Sequence, residues 1–146
     1  MKVSVILAHP DPSSFNHAIA KTTVATLKKN GHAVYYHDLY KEKFDPLLPK
    51  EEIPKDVPLP SEIETHCKEV AEVDGFVIIH PNWWGMPPAI LTGWVDRVMR
   101  PGIAYEFLEN DNGEGVPNGL LRAEKAIIKI HATTIILAQA YTMTFG

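Results

Sequence analysis

Residues 2–16 read KVSVILAHPDPSSFN, and residues 75–88 read GFVIIHPNWWGMPP. Each stretch begins as an apolar run and ends in a polar turn that opens onto a helical pattern. A continuous apolar run rich in β-branched residues marks a strand buried on both faces, as in the centre of a parallel sheet. Strands of such a sheet all point one way, so the two turns fall at the same carboxyl-terminal edge, where ligands of open α/β sheets bind.

The rest of the chain fits around these two strands. Residues 15–30 form a helix with Phe15, Ile19, Val24 and Leu27 on its inner face, closed by Asn30-Gly31. Residues 32–38, HAVYYHD, are a second strand whose poorer alternation suits a place nearer the edge. Residues 39–60 carry Pro46, Pro49, Pro54, Pro58 and Pro60, which predicts an irregular surface connection suited to a dimer contact. Ser61 and Glu64 have capping-box spacing for a helix that turns Ile63, Cys67, Val70 and Ala71 inward. The strand at 75–80 leads, through Pro88, into a helix burying Ala89, Leu91, Trp94, Val95 and Val98. Asp96-Arg97 on it is read as a surface or interface pair. Residues 100–118 predict a loop, and residues 125–130, KAIIKI, a fourth strand. This alternation predicts one α/β domain over residues 1–146, a parallel sheet with helices on both faces.

Composition narrows the function classes. The 146 residues are 45% hydrophobic and 22% charged, with a formal net charge of -4. No overall positive field is available to attract nucleic acid or anionic lipid. No apolar stretch reaches the roughly 20 residues of a membrane span, and no basic leader precedes the first strand. Cys67 is the single cysteine, so no internal disulfide forms. The expectation is a cytoplasmic protein with no membrane insertion and no nucleic-acid partner. His17, His32, His37, His66, His80 and His131 show no zinc spacing, and no metal is expected.

The first turn, residues 9–14, opens a helix whose amides and dipole favour an anion. Ser13 and Ser14 offer hydroxyls and His9 a ring N–H, a set that suits a phosphate or pyrophosphate. Equally, Ser13 or Ser14 serves only as the helix cap and His9 makes a turn hydrogen bond. No GxGxxG or GxxxxGK[ST] follows the strand, so neither motif supports a nucleotide fold of those kinds. The second turn carries Trp83 and Trp84. Neighbouring residues of an extended segment point opposite ways, so one indole can face the core and the other a flat ligand. A purely structural pair locking the turn to the next helix is the alternative reading.

Taken together, LAHPDPSSFNHAIA (residues 7–20) and GFVIIHPNWWGMPPAILTGWVDRVMRPGIAYEF (residues 75–107) resemble the flavodoxin-like NAD(P)H:quinone oxidoreductase family of the DT-diaphorase type. The ordered match runs from Lys2 to about Lys125. The resemblance implies a flavodoxin-like three-layer sandwich with strands in the order 2-1-3-4. It implies a flavin, FAD with FMN as the alternative, and NAD(P)H as co-substrate. His9, Ser14, Phe15 and Asn16 would serve the phosphate side and adenosine half. Pro81, Asn82, Trp83, Trp84 and Gly85 would line the ring. Trp83 and Tyr105 would wall a catalytic pocket that nicotinamide and quinone use in turn, giving ping-pong two-electron reduction of quinones or similar acceptors. A homodimer with the site at the subunit interface is implied as well.

The tail departs from the family pattern. Residues 130–141 read IHATTIILAQAY, with no Gly-Gly turn, and the chain stops at Gly146. It reads as a truncated or frame-shifted end, with the last strand missing or replaced. Residues 133–145 are expected as an extra strand, a helix or a swapped segment, and Thr133 and Thr134 are the candidates to replace lost flavin contacts. Two other functions are weighed. One is a non-catalytic flavin-binding subunit, for example of a potassium efflux system. The other rests on AHPD at residues 8–11, which resembles the metal turn of zinc-dependent deacetylases, although Pro12 stands where that family has a second acidic residue.

Overall fold

The computed structural model describes residues 1–107 and 117–131, with a final backbone segment at 141–144. The elements are β1 (Lys2–Leu7), α1 (Phe15–Lys29), β2 (Ala33–Asp38), α2 (Ser61–Glu72), β3 (Gly75–Pro81), α3 (Ala89–Val98), β4 (Tyr105–Glu106), β5 (Asn118–Gly119), β6 (Lys125–His131) and β7 (Tyr141–Thr144), with a 3-10 turn at Lys50–Glu52. The main sheet runs β2-β1-β3-β6-β7. Its first four strands are parallel, in the expected 2-1-3-4 order, and β7 pairs antiparallel with β6. The tail thus contributes an antiparallel fifth strand at the edge of the sheet. Thr133 and Thr134, with the rest of 132–140, lie outside the described residues.

Period-two alternation builds the layers. Val3, Val5, Leu7, Val77 and Ile79 pack with Ala20, Ile19, Val24 and Leu27 of α1. Ile6, Ala8 and Phe76 pack on the other face with Ile63, Cys67 and Val70 of α2 and Leu91, Trp94 and Val98 of α3. Each fully buried aliphatic side chain contributes roughly 1.5–3 kcal/mol, so both faces hold the sheet.

Several expected faces are rotated. Phe15 is 61% exposed, because it heads α1 instead of lying along its inner stripe. The buried stripe of α3 is Ile90, Leu91, Trp94 and Val98, while Ala89 and Val95 face out. On α2, His66 takes the buried place expected of Ala71. Pro60 occupies the N-cap of α2 and Ser61 is its first helical residue, so no capping box forms.

The Pro-rich connection is tied down where a surface pair was expected. Arg97 is buried, its guanidinium on the Glu52 carboxylate and the Asp45 carbonyl. Arg100 donates to the carbonyls of Glu52 and Pro54, both at 2.7 Å. Gly93 lets the loop touch α3, since a Cβ there would lie 2.1 Å from the Pro46 carbonyl oxygen. The loop at 100–118 contains a short ribbon, β4 against β5.

Candidate functional site at the carboxyl edge of the sheet

β1 and β3 are direct neighbours with Leu7 opposite Ile79, and the Ala8 amide donates to the Ile79 carbonyl at 2.9 Å. This register brings both singled-out turns to one rim. There the His9 and Trp83 rings meet at 6.1 Å between centroids, tilted by 56°.

In the first turn, the Asp11 amide donates to His9 Nδ1 at 3.1 Å. The neutral His9 ring therefore carries its proton on Nε2, a donor left for a ligand. Asp11 Oδ1 accepts from the Ser13 amide at 2.8 Å and hydroxyl at 2.7 Å. These two hydrogen bonds hold its carboxyl below the usual carboxylate range. His9 Nδ1 and Asp11 Oδ1 are thus engaged within the turn, and among the described residues neither side chain belongs to a group of three or more metal-ligating side chains. Ser14 is the N-cap of α1 and accepts from the His17 amide. Capping and anion binding are compatible, because one side chain satisfies only one of the first-turn amides. Asn16 is 1% exposed, and its Oδ1 has no partner among the described residues. A buried acceptor of that kind suits a sugar or sugar-alcohol hydroxyl.

In the second turn, Trp83 and Met86 exchange backbone hydrogen bonds at 3.1 and 3.0 Å. Trp84 (φ 57) and Gly85 (φ 80) between them lie in the left-handed region, as a type I′ turn requires. Glycine adopts this readily; tryptophan does so at a cost. Neither indole is core. Trp83 is 40% exposed and Trp84 fully exposed, and the tryptophan filling the interior is Trp94. Pro81 is buried at the end of β3 and Asn82 half-buried after it. His80 Nδ1–H donates to the Pro81 carbonyl at 2.8 Å; burial lowers its pKa, and that bond partly opposes the shift.

Tyr105 sits on β4, edge-to-face with Phe107 at 5.6 Å. No ring contact or hydrogen bond joins it to Trp83 among the described residues. Two cavities flank α1. One of about 500 Å³ is mostly apolar and includes Phe15, Val77 and Ile127. The other, about 600 Å³, touches the first turn through Ser13, Ser14 and His17, with Lys21 and Tyr36 as its far wall.

The sequence reading missed two clusters. His17 bridges Ser14 and Asp38, and the Ser14–His17 spacing of three on a helix was its available signal. His37, Glu42 and His66 place ligating atoms within 4.8 Å of one another. They come from different elements, so no spacing reveals them. The Trp94 indole donates to His66 Nδ1 at 3.2 Å, leaving the proton of the neutral ring on Nε2. A cation there would have to break that bond to gain the lone pair.

A family model described as flavodoxin-like fold matches residues 1–142. The chain belongs to this family. Within it, the chain is 32% identical over 162 residues to the ribosyldihydronicotinamide dehydrogenase [quinone] of Pongo abelii, covering 98% of this chain and 67% of that one. It is 36% identical over 121 residues to an NAD(P)H oxidoreductase of Haemophilus influenzae, covering 81% and 57%. A solved NAD(P)H:quinone oxidoreductase from Methanothermobacter marburgensis superposes with a TM-score of 0.77 at 30% identity, covering 90% of this chain and 66% of that one. The chain spans about half the length of the first curated relatives it matches, 57%, 56% and 44%. No helix among the described residues is long and apolar enough to cross a membrane.

Proposed function

We propose that this flavodoxin-like chain is an NAD(P)H-dependent flavoprotein that reduces quinones or similar acceptors by two electrons, with FAD in preference to FMN. The observation that carries this reading is the meeting of the two turns at one rim, His9 beside Trp83, with an exposed indole next in sequence. His9, Ser14, Phe15 and Asn16 would hold the phosphate and sugar side. Pro81, Asn82, Trp83, Trp84 and Gly85 would hold the ring. The names of the relatives support the reaction class.

When bound, the flavin supplies the hydride chemistry between nicotinamide and acceptor. The protein's own part is placement. The I′ turn sets the backbone beneath Trp83 and Trp84, and each indole would contribute roughly 0.5–1.5 kcal/mol against a heterocycle beyond its area. His9 Nε2–H and the first turn of α1 supply donors to a charged tail. Trp83 and Tyr105 would wall the space used in turn by both substrates, in a homodimer with the site at the subunit interface. A cytoplasmic setting belongs to the same proposal. The test is NADH- or NADPH-driven reduction of a simple quinone by flavin-loaded protein. Turnover that falls several-fold in Trp83→Ala with unchanged thermal stability is the expected result. Flavin-loaded protein without turnover would point to the non-catalytic subunit instead.

A further inference from the structure

His37, Glu42 and His66 come from β2, the β2–α2 connection and α2, and their ligating atoms lie within 4.8 Å of one another. His37 is held between two carboxylates. Its Nε2 lies 2.6 Å from Glu69 Oε2, on α2. Its Nδ1 faces both oxygens of Glu42 almost equally, at 3.2 and 3.3 Å. A carboxylate only accepts. Whichever nitrogen bears the single proton of the neutral ring, the other sets a lone pair against a carboxylate. Two acceptors at that distance call for a cation between them, either a second proton on His37 or a metal ion.

The rest of the geometry matches a metal ion. His66 Nε2 lies 3.9 Å from Glu42 Oε2, too far for a hydrogen bond. Ligand atoms of a tetrahedral zinc, each about 2.0–2.2 Å from the ion, stand roughly 3.3–3.6 Å apart. The separations from Glu42, 3.2 Å to His37 and 3.9 Å to His66, bracket that spacing. Glu69, on the far nitrogen of His37, is the outer carboxylate that fixes the tautomer of a metal-binding histidine. Imidazole donors select zinc-type ions over magnesium or calcium. Glu62 and Thr65 complete the wall of a cleft of about 280 Å³, which has room for a water as the fourth ligand. One contact opposes binding. Trp94 donates to His66 Nδ1, and a metal on Nε2 would move the ring proton to Nδ1, against the indole N–H. Losing that bond lowers the affinity by roughly 10- to 100-fold, and it makes the buried indole a reporter of the ion.

We propose that His37, Glu42 and His66 bind a zinc-type divalent cation, with Glu69 as the positioning residue behind His37. The ion fastens the start of the Pro-rich connection to α2. In the metal-free chain a proton on His37 takes its place between the carboxylates, and binding displaces it. The site shares no residue with the two turns at the sheet rim, so the inference stands apart from the flavin reading.

The experiment titrates Zn²⁺ into the EDTA-treated, dialysed full chain by calorimetry and follows the tryptophan indole N–H signals by NMR. One equivalent should bind, and thermal stability should rise with free zinc. The Trp94 indole signal should move while those of Trp83 and Trp84 stay in place. Co²⁺ in place of zinc should give the intense visible bands of a four-coordinate ion. Glu69→Gln should weaken binding by roughly 10- to 100-fold, and Glu42→Gln by at least as much, since it removes a direct ligand. Glu42 is partly exposed, so its variant should fold. His32→Gln should bind like the unaltered chain. The proposal is overturned by an absence of saturable binding, by a Trp94 signal that stays still at saturation, or by undiminished binding in Glu42→Gln, which would assign the ion to other histidines.

Discussion

Acid should unfold this protein through His66. The residue is 3% exposed on α2, its ring 4.0 Å between centroids from that of His37 at a tilt of 43°, and hydrogen-bonded at Nδ1 by the Trp94 indole. Burial and the neighbouring His37 lower its pKa from 6.5 to about 4. Adding a proton would put an N–H on Nδ1, facing the Trp94 donor. Between those two values the unfolded chain binds a proton that the folded one refuses, so stability falls as pH drops, by about 3 kcal/mol over the whole interval and about 2 kcal/mol from pH 7 to 5. His37 works in the opposite direction and offsets part of the loss as pH falls toward 6.5. Burial pulls its pKa down, but hydrogen bonds to Glu42 and Glu69 win and hold it above 6.5. Its contribution is therefore full below 6.5 and fades as pH rises through its folded value. His80, lowered by burial, adds a slope of the same sign as His66. Urea unfolding at pH 7, 6 and 5, followed by tryptophan fluorescence, measures the total. His66→Gln keeps an acceptor for Trp94 without titrating and isolates the His66 share. A variant that loses as much stability as the parent between pH 7 and 5 would refute the reasoning.

Three substitutions test the supports of the site. Gly93→Ala gains about 1 kcal/mol of helix propensity, but its Cβ meets the backbone of Pro46 at 2.1–2.5 Å. The clash should win, with a net loss of about 1–3 kcal/mol in thermal or urea unfolding. Glu52→Ala strands the buried Arg97 and should cost about 3–5 kcal/mol, part of it recovered in the double variant with Arg97→Met. Trp84→Asn relieves a left-handed tryptophan and should stabilise by about 1 kcal/mol. The same change should weaken flavin binding about 2- to 10-fold in a fluorescence titration.

The parallel sheet was legible because its signal is local. Residues 3–8 and 75–80 are too uniformly apolar to be anything but central strands, and both turns follow at their carboxyl ends. The inner faces of helices were less legible, since α3 packs against the strapped loop as well as the sheet. Arg97 looked like a surface residue because its partner, Glu52, lies 45 positions away in a segment with no periodicity. Both tryptophans of the second turn lie outside the core, since an I′ turn at Trp84-Gly85 replaces the extended segment assumed. The His17–Asp38 and His37–His66 contacts depend on where β2 lies beside α1 and α2. That is tertiary information, which no sequence spacing carries.

The central claim is that the β1 and β3 turns together grip a flavin, and an FAD titration tests it most directly. The account predicts saturable quenching of flavin fluorescence, perturbed visible bands, and marked weakening when either Trp83→Ala or Ser14→Ala is introduced into folded protein. Flavin that stays fully fluorescent with the unaltered chain, or binding indifferent to both substitutions, would contradict it.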